Sequence, residues 1–254
     1  MIGPNDEIST IADQRHGQML RLVAKGFYRE LINYGVNEAE VLTVAAHLLD
    51  NVLNKAWSRN DQADYYNRLF SLKDVEDNWA KAKRLGIQQV SVLPLDLRLV
   101  PQIAAWLRVP AIRDSFYPRF PASEEQLSRY FAGGNRAYFS VLFEELPVGL
   151  IGAEEIDAEA GKLEMRKLVG DPQMQGKGIG KRATFLFLYH TFTIRKFNKV
   201  YVHSLDVNVR NLNLNSKFGF ELEGTLFEDA MVQTARRDVV RMALRAPVWL
   251  ELFS

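Results

Sequence analysis

The apolar positions of the chain follow two different periods. Before about residue 86 they recur three and four residues apart, which is the spacing of amphipathic helices. Gly35 is placed to end the first helix, and Asn37 with Glu40 has the spacing of a capping box for the second. Three helices are predicted, with apolar stripes that contain Ile8, Ile11, Leu20, Val23, Phe27 and Leu31, then Val41, Ala45, Leu48 and Val52, then Tyr65, Leu69, Leu72, Val75 and Trp79. We therefore predict an all-helical N-terminal domain over residues 1–86, with the boundary in the stretch 81–86.

From residue 88 the apolar residues form short runs separated by turn signals, a pattern that is typical of strands. Residues 144–147 join two of these runs with the spacing of a hairpin. The predicted strands are 90–95, 137–143, 148–156, 163–169, 199–205, 220–226 and 237–244, and the predicted helices are 100–107, 126–131, 181–197 and 211–218. This order of strands and helices indicates an α+β domain over residues 87–254.

Composition narrows the classes of protein. The chain of 254 residues has a formal net charge of +1, which argues against a nucleic-acid surface. Its lack of cysteine excludes disulfides, thiolate nucleophiles and cysteine-based metal sites. The first nine residues lack the apolar core of a signal peptide, and no apolar run is long enough to span a membrane. We expect a cytoplasmic protein without nucleic-acid or membrane partners, and also without a metal, since the histidines are dispersed.

Residues 175–183 carry the strongest functional signal, with the sequence Gln-Gly-Lys-Gly-Ile-Gly-Lys-Arg-Ala. Glycines at alternate positions before a helix N-terminus form a loop suited to a phosphate or pyrophosphate. A P-loop is excluded because Gly176 and Gly180 are one residue too close and Arg182 replaces the hydroxyl residue. A dinucleotide fingerprint is disfavoured because the strand predicted at 199–205 lacks the acidic residue that would bind the ribose.

The loop and its flanks resemble the GNAT (Gcn5-related N-acetyltransferase) superfamily. Gln175, Gly178 and Gly180 fill the pyrophosphate-loop motif Q/R-x-x-G-x-G/A. Downstream, Asn208 to Asn211 and then the stretch 215–220, which ends in Gly-Phe, are similar to the second motif of that family. The segments 93–95, 223–224 and 237–241 are similar to the branch of ribosomal-protein N-terminal and amino-sugar acetyltransferases. The resemblance covers residues 88 to the C-terminus and implies the GNAT fold, a mixed, mainly antiparallel sheet with flanking helices.

The resemblance implies acetyl-CoA as the co-substrate, with its pyrophosphate on the loop and its pantetheine arm along the strand at 163–169. The first asparagines of the second motif are implied ligands of the pantetheine or the loop, although capping of the short helix explains them equally well. The implied coenzyme-binding residues are Leu168, Val169, Gly170, Gln175, Gly176, Lys177, Gly178, Ile179, Gly180, Lys181, Asn208 and Asn211.

A direct transfer needs a base for the amine and an acid for the departing thiolate. Glu164 is the first candidate base, followed by Glu154 and Glu155, although each is also an ordinary residue of a strand. In many relatives the acid is a tyrosine that lies four residues before the glycine of the Gly-Phe pair. Asn215 occupies that position here, and an amide can hydrogen-bond the sulfur or the pantetheine but cannot act as the acid.

The sequence thus predicts an acetyl-CoA-dependent N-acetyltransferase acting on a primary amine of a small molecule, such as an amino sugar, a metabolite or an antibiotic. Two alternatives stay open, an acetyltransferase of protein N-termini and a non-catalytic module that binds acyl-CoA. The N-terminal helices are a candidate contact for a second copy of the chain or for another partner.

Overall fold

The computed structural model describes residues 24–33, 35–38, 40–42, 44–45, 70, 72–82, 84–115, 120–206 and 208–253. The chain separates into two compact units, Met1–Ser58 and Arg59–Ser254, and each is described by itself.

In the first unit, the described residues are helical at 24–33 and at 38, 40–42 and 44–45, and residues 35–37 form the turn between them. Gly35 ends the first of these helices in a left-handed conformation with φ +79°, and the Val36 N–H donates to the Leu31 carbonyl (3.0 Å). The Asn37 N–H donates to the Glu40 carboxylate (2.9 Å), and the Glu40 N–H donates to Asn37 Oδ1 (3.0 Å). The predicted capping box is thereby confirmed. The predicted stripe positions before residue 24 and from 48 to 69 lie outside the described residues.

The second unit is built on one eight-stranded sheet with the order β1-β2-β3-β4-β5-β6-β8-β7. All neighbours are antiparallel except β5 and β6, which are parallel. The strands are β1 Leu85–Ile87, β2 Val90–Pro94, β3 Ala137–Phe143, β4 Leu146–Asp157, β5 Lys162–Val169, β6 Lys199–Leu205, β7 Glu221–Val232 and β8 Ala235–Arg245.

Helices cover both faces of this sheet. In chain order, the helices in the described part of the second unit are α1 Leu72–Ala82, α2 Val100–Arg108, α3 Pro110–Arg113, α4 Glu124–Ala132, α5 Ile179–Leu188, α6 Val209–Lys217 and α7 Ala246–Leu252. Short 3₁₀ turns lie at Leu97–Leu99 and Pro172–Met174, and a π-helical turn at Tyr189–Ile194 extends α5.

Strand alternation assigns each face its own core. Ile151 on β4 packs into the larger cluster, which holds the buried side chains of α5 together with Trp249 of α7. Leu150, its neighbour in the sequence, packs into a second cluster with Leu127 of α4 and Ile103 of α2. The central sheet is therefore covered on both sides.

The predicted α+β class, with a mixed, mainly antiparallel sheet and flanking helices, is confirmed. Among the differences from the sequence prediction, three concern β1, the helix after the glycine loop and α7. β1 has three residues, too few to show a period, and the predicted long helix leaves the α-conformation at Leu188. α7 was not predicted, because its seven residues are mostly apolar and give no amphipathic signal.

The helix α1 bears on the predicted domain boundary. It lies in the second unit, where Val75 is fully buried in the same cluster as the side chains of α5. The division into domains 1–86 and 87–254 stays a prediction.

The two parallel strands at the centre of the sheet separate along their length. β5 and β6 pair only from Lys162 to Glu164 on one strand and from Lys199 to Tyr201 on the other. Both strands continue beyond these pairs, to Val169 and Leu205. A wedge-shaped opening therefore forms between them, and the backbone groups of β5 that face it have no strand partner in the described part of the sheet.

Candidate active site

The glycine loop enters α5 through left-handed backbone. Gly176 has φ +83° and Gly178, the N-cap residue of α5, has φ +75°, a region that side chains with a Cβ rarely adopt. A Cβ on Gly176 would meet no atom within 4 Å, so the backbone there is open to a ligand. The first N–H groups of a helix have no intrahelical partner, which makes this end of α5 an anion site.

Side chains hold the loop in place. Arg182 donates from Nε to Gln88 Oε1 (2.7 Å) and from Nη1 to the Lys177 carbonyl (3.2 Å). Gln175 donates from Nε2 to the Val169 carbonyl (3.4 Å), which joins the loop to the end of β5. Arg182 thus fixes the loop.

A cavity of about 780 Å³ opens in front of the loop. Its wall contains Lys181 and Lys217, whose positive charges suit the phosphates of a coenzyme. It is also lined by most of the predicted coenzyme-binding residues, namely Leu168, Val169, Gln175, Gly176, Gly178, Ile179, Gly180, Lys181, Asn208 and Asn211.

The two remaining predicted coenzyme-binding residues, Gly170 and Lys177, do not line this cavity. The Gly170 N–H donates to the Val148 carbonyl (2.8 Å), and a Cβ on Gly170 would overlap the Trp106 indole at 2.0 Å. Lys177 directs its Nζ to Met174 Sδ (3.4 Å). Gly170 therefore supports the wall from behind, and Lys177 lies along the rim of the loop.

A second, smaller cavity of about 110 Å³ lies beside the first. It extends towards β6, where Val202 and His203 form part of its lining. Four described residues line both cavities, which are Ser115, Lys167, Asn208 and Asn211. The opening between β5 and β6 therefore offers two adjoining compartments, a large one at the loop and a small one at the histidine.

The asparagines of the second motif have two roles. Asn208 is the N-cap of α6, and its side chain accepts from the Asn211 N–H (3.3 Å). Asn211 donates from Nδ2 to Ser204 Oγ (3.3 Å) on β6. The capping interpretation is confirmed, and both side chains also lie in the cavity walls.

The candidate base Glu164 contacts a histidine that the sequence did not single out. Glu164 is buried on β5, and its Oε1 lies 3.2 Å from Nδ1 of His203 on β6. When Nδ1 carries the proton, it donates to the carboxylate and leaves Nε2 as an acceptor. His203, not Glu164, lines the second cavity. The parallel register that brings β5 beside β6 is tertiary information, which the histidine spacing in the sequence does not carry.

The candidate base Glu154 is enclosed in a buried polar cluster. Its carboxylate accepts from the hydroxyls of Tyr130 and Tyr138 and from Arg166 Nη1 at 3.1 and 3.2 Å. The Arg166 guanidinium also lies 4.1 Å from the centre of the Phe120 ring. Burial raises the pKa of the Tyr138 hydroxyl, and the charge of Glu154 raises it further. Glu154 is thus a partner of buried donors on the side of the sheet that packs against α4.

Asn215 is fully buried and accepts a hydrogen bond from Lys167 Nζ at 2.6 Å. Its Nδ2 is buried without a hydrogen-bond partner in the described structure. Lys167 is half-buried on β5, and burial lowers the pKa of its amine to about 7. The sequence did contain one signal for Lys167. It is a charged residue in a predicted strand, between Arg166 and Leu168, and a charge in a buried strand is unusual.

Neither metal ligands nor a membrane span emerge from the described residues. They contain no cluster of three or more histidine, aspartate or glutamate side chains that could bind a metal ion. None of their helices is both long enough and apolar enough to cross a bilayer.

The glycine loop at a helix N-terminus, the opening between parallel strands and the paired cavities define an acyltransferase that binds a coenzyme A thioester. The Acetyltransferase (GNAT) domain family matches residues 89–221, more than half of the chain. The chain belongs to this family, so the predicted family and the predicted GNAT fold are confirmed. It is an acyl-CoA-dependent N-acetyltransferase with acetyl-CoA as its donor.

Relatives in sequence and structure agree with this assignment. The chain is 24% identical over 156 residues to the spermidine N(1)-acetyltransferase of Escherichia coli strain K12, a match that covers 59% of this chain and 80% of that enzyme. It is 30% identical over 95 residues to the corresponding enzyme of Vibrio cholerae serotype O1, covering 37% and 54%. The solved spermidine N-acetyltransferase from Vibrio cholerae in complex with CoA and spermine superposes with a TM-score of 0.60 at 23% identity, covering 64% of this chain and 98% of that one.

Proposed function

We propose that this N-acetyltransferase transfers the acetyl group of acetyl-CoA to a primary amine of a polyamine such as spermidine or spermine. The observation that carries the proposal is the match to spermidine N(1)-acetyltransferases, which extends over 80% of the Escherichia coli enzyme. It narrows the predicted small-molecule amine to an aliphatic polycation.

The adjoining cavities support a direct transfer between two bound substrates. Acetyl-CoA would occupy the larger cavity, with its pyrophosphate at the N-terminus of α5 and its pantetheine arm along β5. The amine would enter the smaller cavity beside His203. Holding amine and thioester in adjoining compartments accounts for much of the rate without a covalent intermediate.

The pair of Glu164 and His203 supplies a route for the proton of the acceptor. A polyamine arrives protonated and must lose a proton before its nitrogen can attack. In this proposal His203 Nε2 takes that proton, directly or through a water, while Glu164 orients the ring and stabilises its charged form. Glu164, which the sequence predicted as the base itself, acts in this proposal as a positioning residue for His203.

The N-terminal helices carry a separate part of the proposal. Their described residues expose the apolar side chains of Phe27, Tyr28, Ile32 and Leu42, which favours a contact with a second copy of the chain. We also propose that residues 1–86 form this helical domain and that the protein is cytoplasmic. Light scattering of the full chain, with Leu42→Glu as the disrupting variant, would report a change from dimer to monomer.

Release of the CoA thiol from acetyl-CoA tests the acceptor. The panel is spermidine, spermine, an amino sugar and a peptide with a free N-terminus. We expect kcat/KM for the polyamines to exceed that for the other amines by at least about tenfold. Preference for the peptide or the amino sugar would overturn the polyamine assignment. CoA binding by calorimetry without turnover on any amine would instead favour the non-catalytic acyl-CoA-binding module.

A further inference from the structure

We propose that Lys167 is the general acid that protonates the sulfur of the departing coenzyme A. The proposal deepens the proposed function at the same site and rests on it for the direct transfer to an amine. In many members of the family that the sequence resembles, a tyrosine performs this step from the position that Asn215 occupies here. Here the amide at that position binds a lysine from the facing strand instead.

Lys167 lies where the two cavities meet. It lies on β5 beyond Glu164, where pairing with β6 has ended, and it is one of the four residues that line both cavities. The bond between thioester carbon and sulfur has to lie where the donor compartment meets the acceptor compartment. Of these four residues, Lys167 is the one that can release a proton near neutral pH.

Asn215 holds the amine of Lys167 in a defined position. Asn215 Oδ1 accepts from Lys167 Nζ at 2.6 Å. The backbone carbonyl of Asn215 accepts from the N–H groups of Phe218 (2.9 Å) and Phe220 (3.2 Å), so the end of α6 is itself fixed. A positioned donor is what general acid catalysis needs.

The described surroundings of the Lys167 amine contain basic side chains. The other titratable side chains in the described cavity walls are Lys181 on α5, Lys217 on α6, and Arg166 and His203 on the strands. No carboxylate is among these lining residues. Burial lowers the pKa of Lys167 to about 7, so the amine can give up its proton and regain it at neutral pH.

Acyl transfer with Lys167 as the acid conserves bonds and protons. The nitrogen of the acceptor forms a bond with the thioester carbonyl carbon, and the carbon–sulfur bond breaks with its electron pair on sulfur. The Lys167 ammonium gives a proton to that sulfur, so CoA leaves as the thiol and the lysine becomes neutral. The acceptor nitrogen loses its protons to the base and to water, and water in the open cavity returns one proton to Lys167. The net change is one acetamide, one thiol and one proton released.

Lys167→Met is the direct test, with Lys162→Met as the matched control on the same strand. We expect kcat to fall by about 10²-fold in Lys167→Met while KM for acetyl-CoA changes by less than about threefold. The alkaline limb of the wild-type kcat profile should disappear with it. A rise in KM with kcat and the alkaline limb unchanged would overturn the proposal and assign Lys167 to coenzyme binding.

Asn215→Asp tests the same idea without removing the lysine. A carboxylate beside the ammonium favours its charged form, so the alkaline limb of kcat should move to higher pH. An unmoved limb would contradict proton donation by Lys167. This variant also keeps the test decisive if Lys167→Met folds poorly.

Titration of CoA bound to the enzyme needs no acceptor, so it separates this inference from the polyamine proposal. The ultraviolet absorbance of the thiolate reports the protonation of the sulfur. The ammonium and the thiol titrate as a coupled pair, and an ammonium beside the sulfur stabilises the thiolate, so the thiolate should form at lower pH in the wild type than in Lys167→Met. Equal titrations in the two complexes would show that Lys167 is not next to the sulfur. Failure of spermidine as an acceptor leaves this measurement unaffected.

Discussion

Residues of one chemical type have different roles in this enzyme according to what surrounds them. Glu154 and Glu164 are directly paired across β4 and β5, and both are buried. Glu154 satisfies two tyrosine hydroxyls and a guanidinium, whereas Glu164 contacts the imidazole that faces the second cavity. The sequence predicts both as candidate bases, because strand alternation does not show which neighbour each carboxylate meets.

Replacing each carboxylate by its amide should separate these roles. Glu154→Gln removes the buried ion pair between Glu154 and Arg166, so we expect the free energy of unfolding to fall by about 3 kcal/mol with kcat nearly unchanged at a temperature where the variant is folded. Glu164→Gln should lower kcat by about 10²-fold with a smaller change in stability. Chemical denaturation and steady-state kinetics measure the two effects. The reverse pattern would make Glu154 the residue that serves the chemistry.

The glycines of the loop should also differ from one another. Gly178 has φ +75°, and a Cβ there would lie 2.8 Å from Arg182 Nη1, whereas a Cβ on Gly180 would make an ordinary contact with Val169 at 3.6 Å. We expect Gly178→Ala to weaken CoA binding by at least about tenfold, since the left-handed backbone costs a residue with a Cβ about 1–2 kcal/mol. Gly180→Ala should change the Kd much less. Calorimetry with CoA checks this, and equal losses in both variants would refute the backbone explanation.

At the scale of elements, the close approach of β4 to β5 shapes the wall of the coenzyme cavity. A Cβ on Gly149 would lie 2.1 Å from the Leu168 carbonyl oxygen, so the two strands meet at a distance that only glycine permits. Leu168 lines the larger cavity. The packing of one strand pair therefore determines where the wall of the site stands.

We expect Gly149→Ala to displace β5, because the clash is with backbone and no side chain can rotate to relieve it. The free energy of unfolding should fall by about 1–3 kcal/mol, and KM for acetyl-CoA should rise. Gly224→Ala is the matched control in a strand, since a Cβ there meets no atom within 4 Å. Thermal denaturation and the KM values of both variants test this expectation. It would be wrong if Gly149→Ala behaved like the control.

The elements also show which parts of the fold could be predicted from the sequence. The bounds of β3 and β6 match the predicted 137–143 and 199–205, because each is an apolar run ended by turn residues. The glycine loop was predicted to bind coenzyme, and most of its residues line the cavity. The contacts of His203 and Lys167 were not foreseen, because they depend on the parallel register of β5 with β6 and on the approach of α6. Those arrangements arise from packing between distant segments.

For the molecule as a whole, the free energy of unfolding should depend on pH because of the lowered pKa of Lys167. Its pKa is lowered to about 7 in the folded protein, below the ordinary value of 10.5 that applies when the chain is unfolded. Between these values the unfolded chain binds more protons than the folded one, so the contribution of Lys167 to stability rises with pH. The penalty for its charge is largest at and below pH 7.

Lys167→Met should therefore stabilise the protein most at pH 6, and its advantage in Tm over the wild type should shrink steadily towards pH 10. Lys162→Met provides the background for the loss of one lysine charge from β5. Thermal denaturation across this pH range measures the difference. An advantage that grows as the pH rises would have the opposite sign and would contradict a lowered pKa at Lys167.

The early end of pairing between β5 and β6 gives the substrate a structural part in the enzyme. Beyond Glu164 the inner edge of β5 has no neighbouring strand in the described part of the chain, so a pantetheine arm along it would take the place of a paired strand. Saturating CoA should then slow amide hydrogen exchange along residues 165–169 as well as at the loop. In this enzyme the donor would complete the central sheet for the duration of each turnover, and release of the product would open it again.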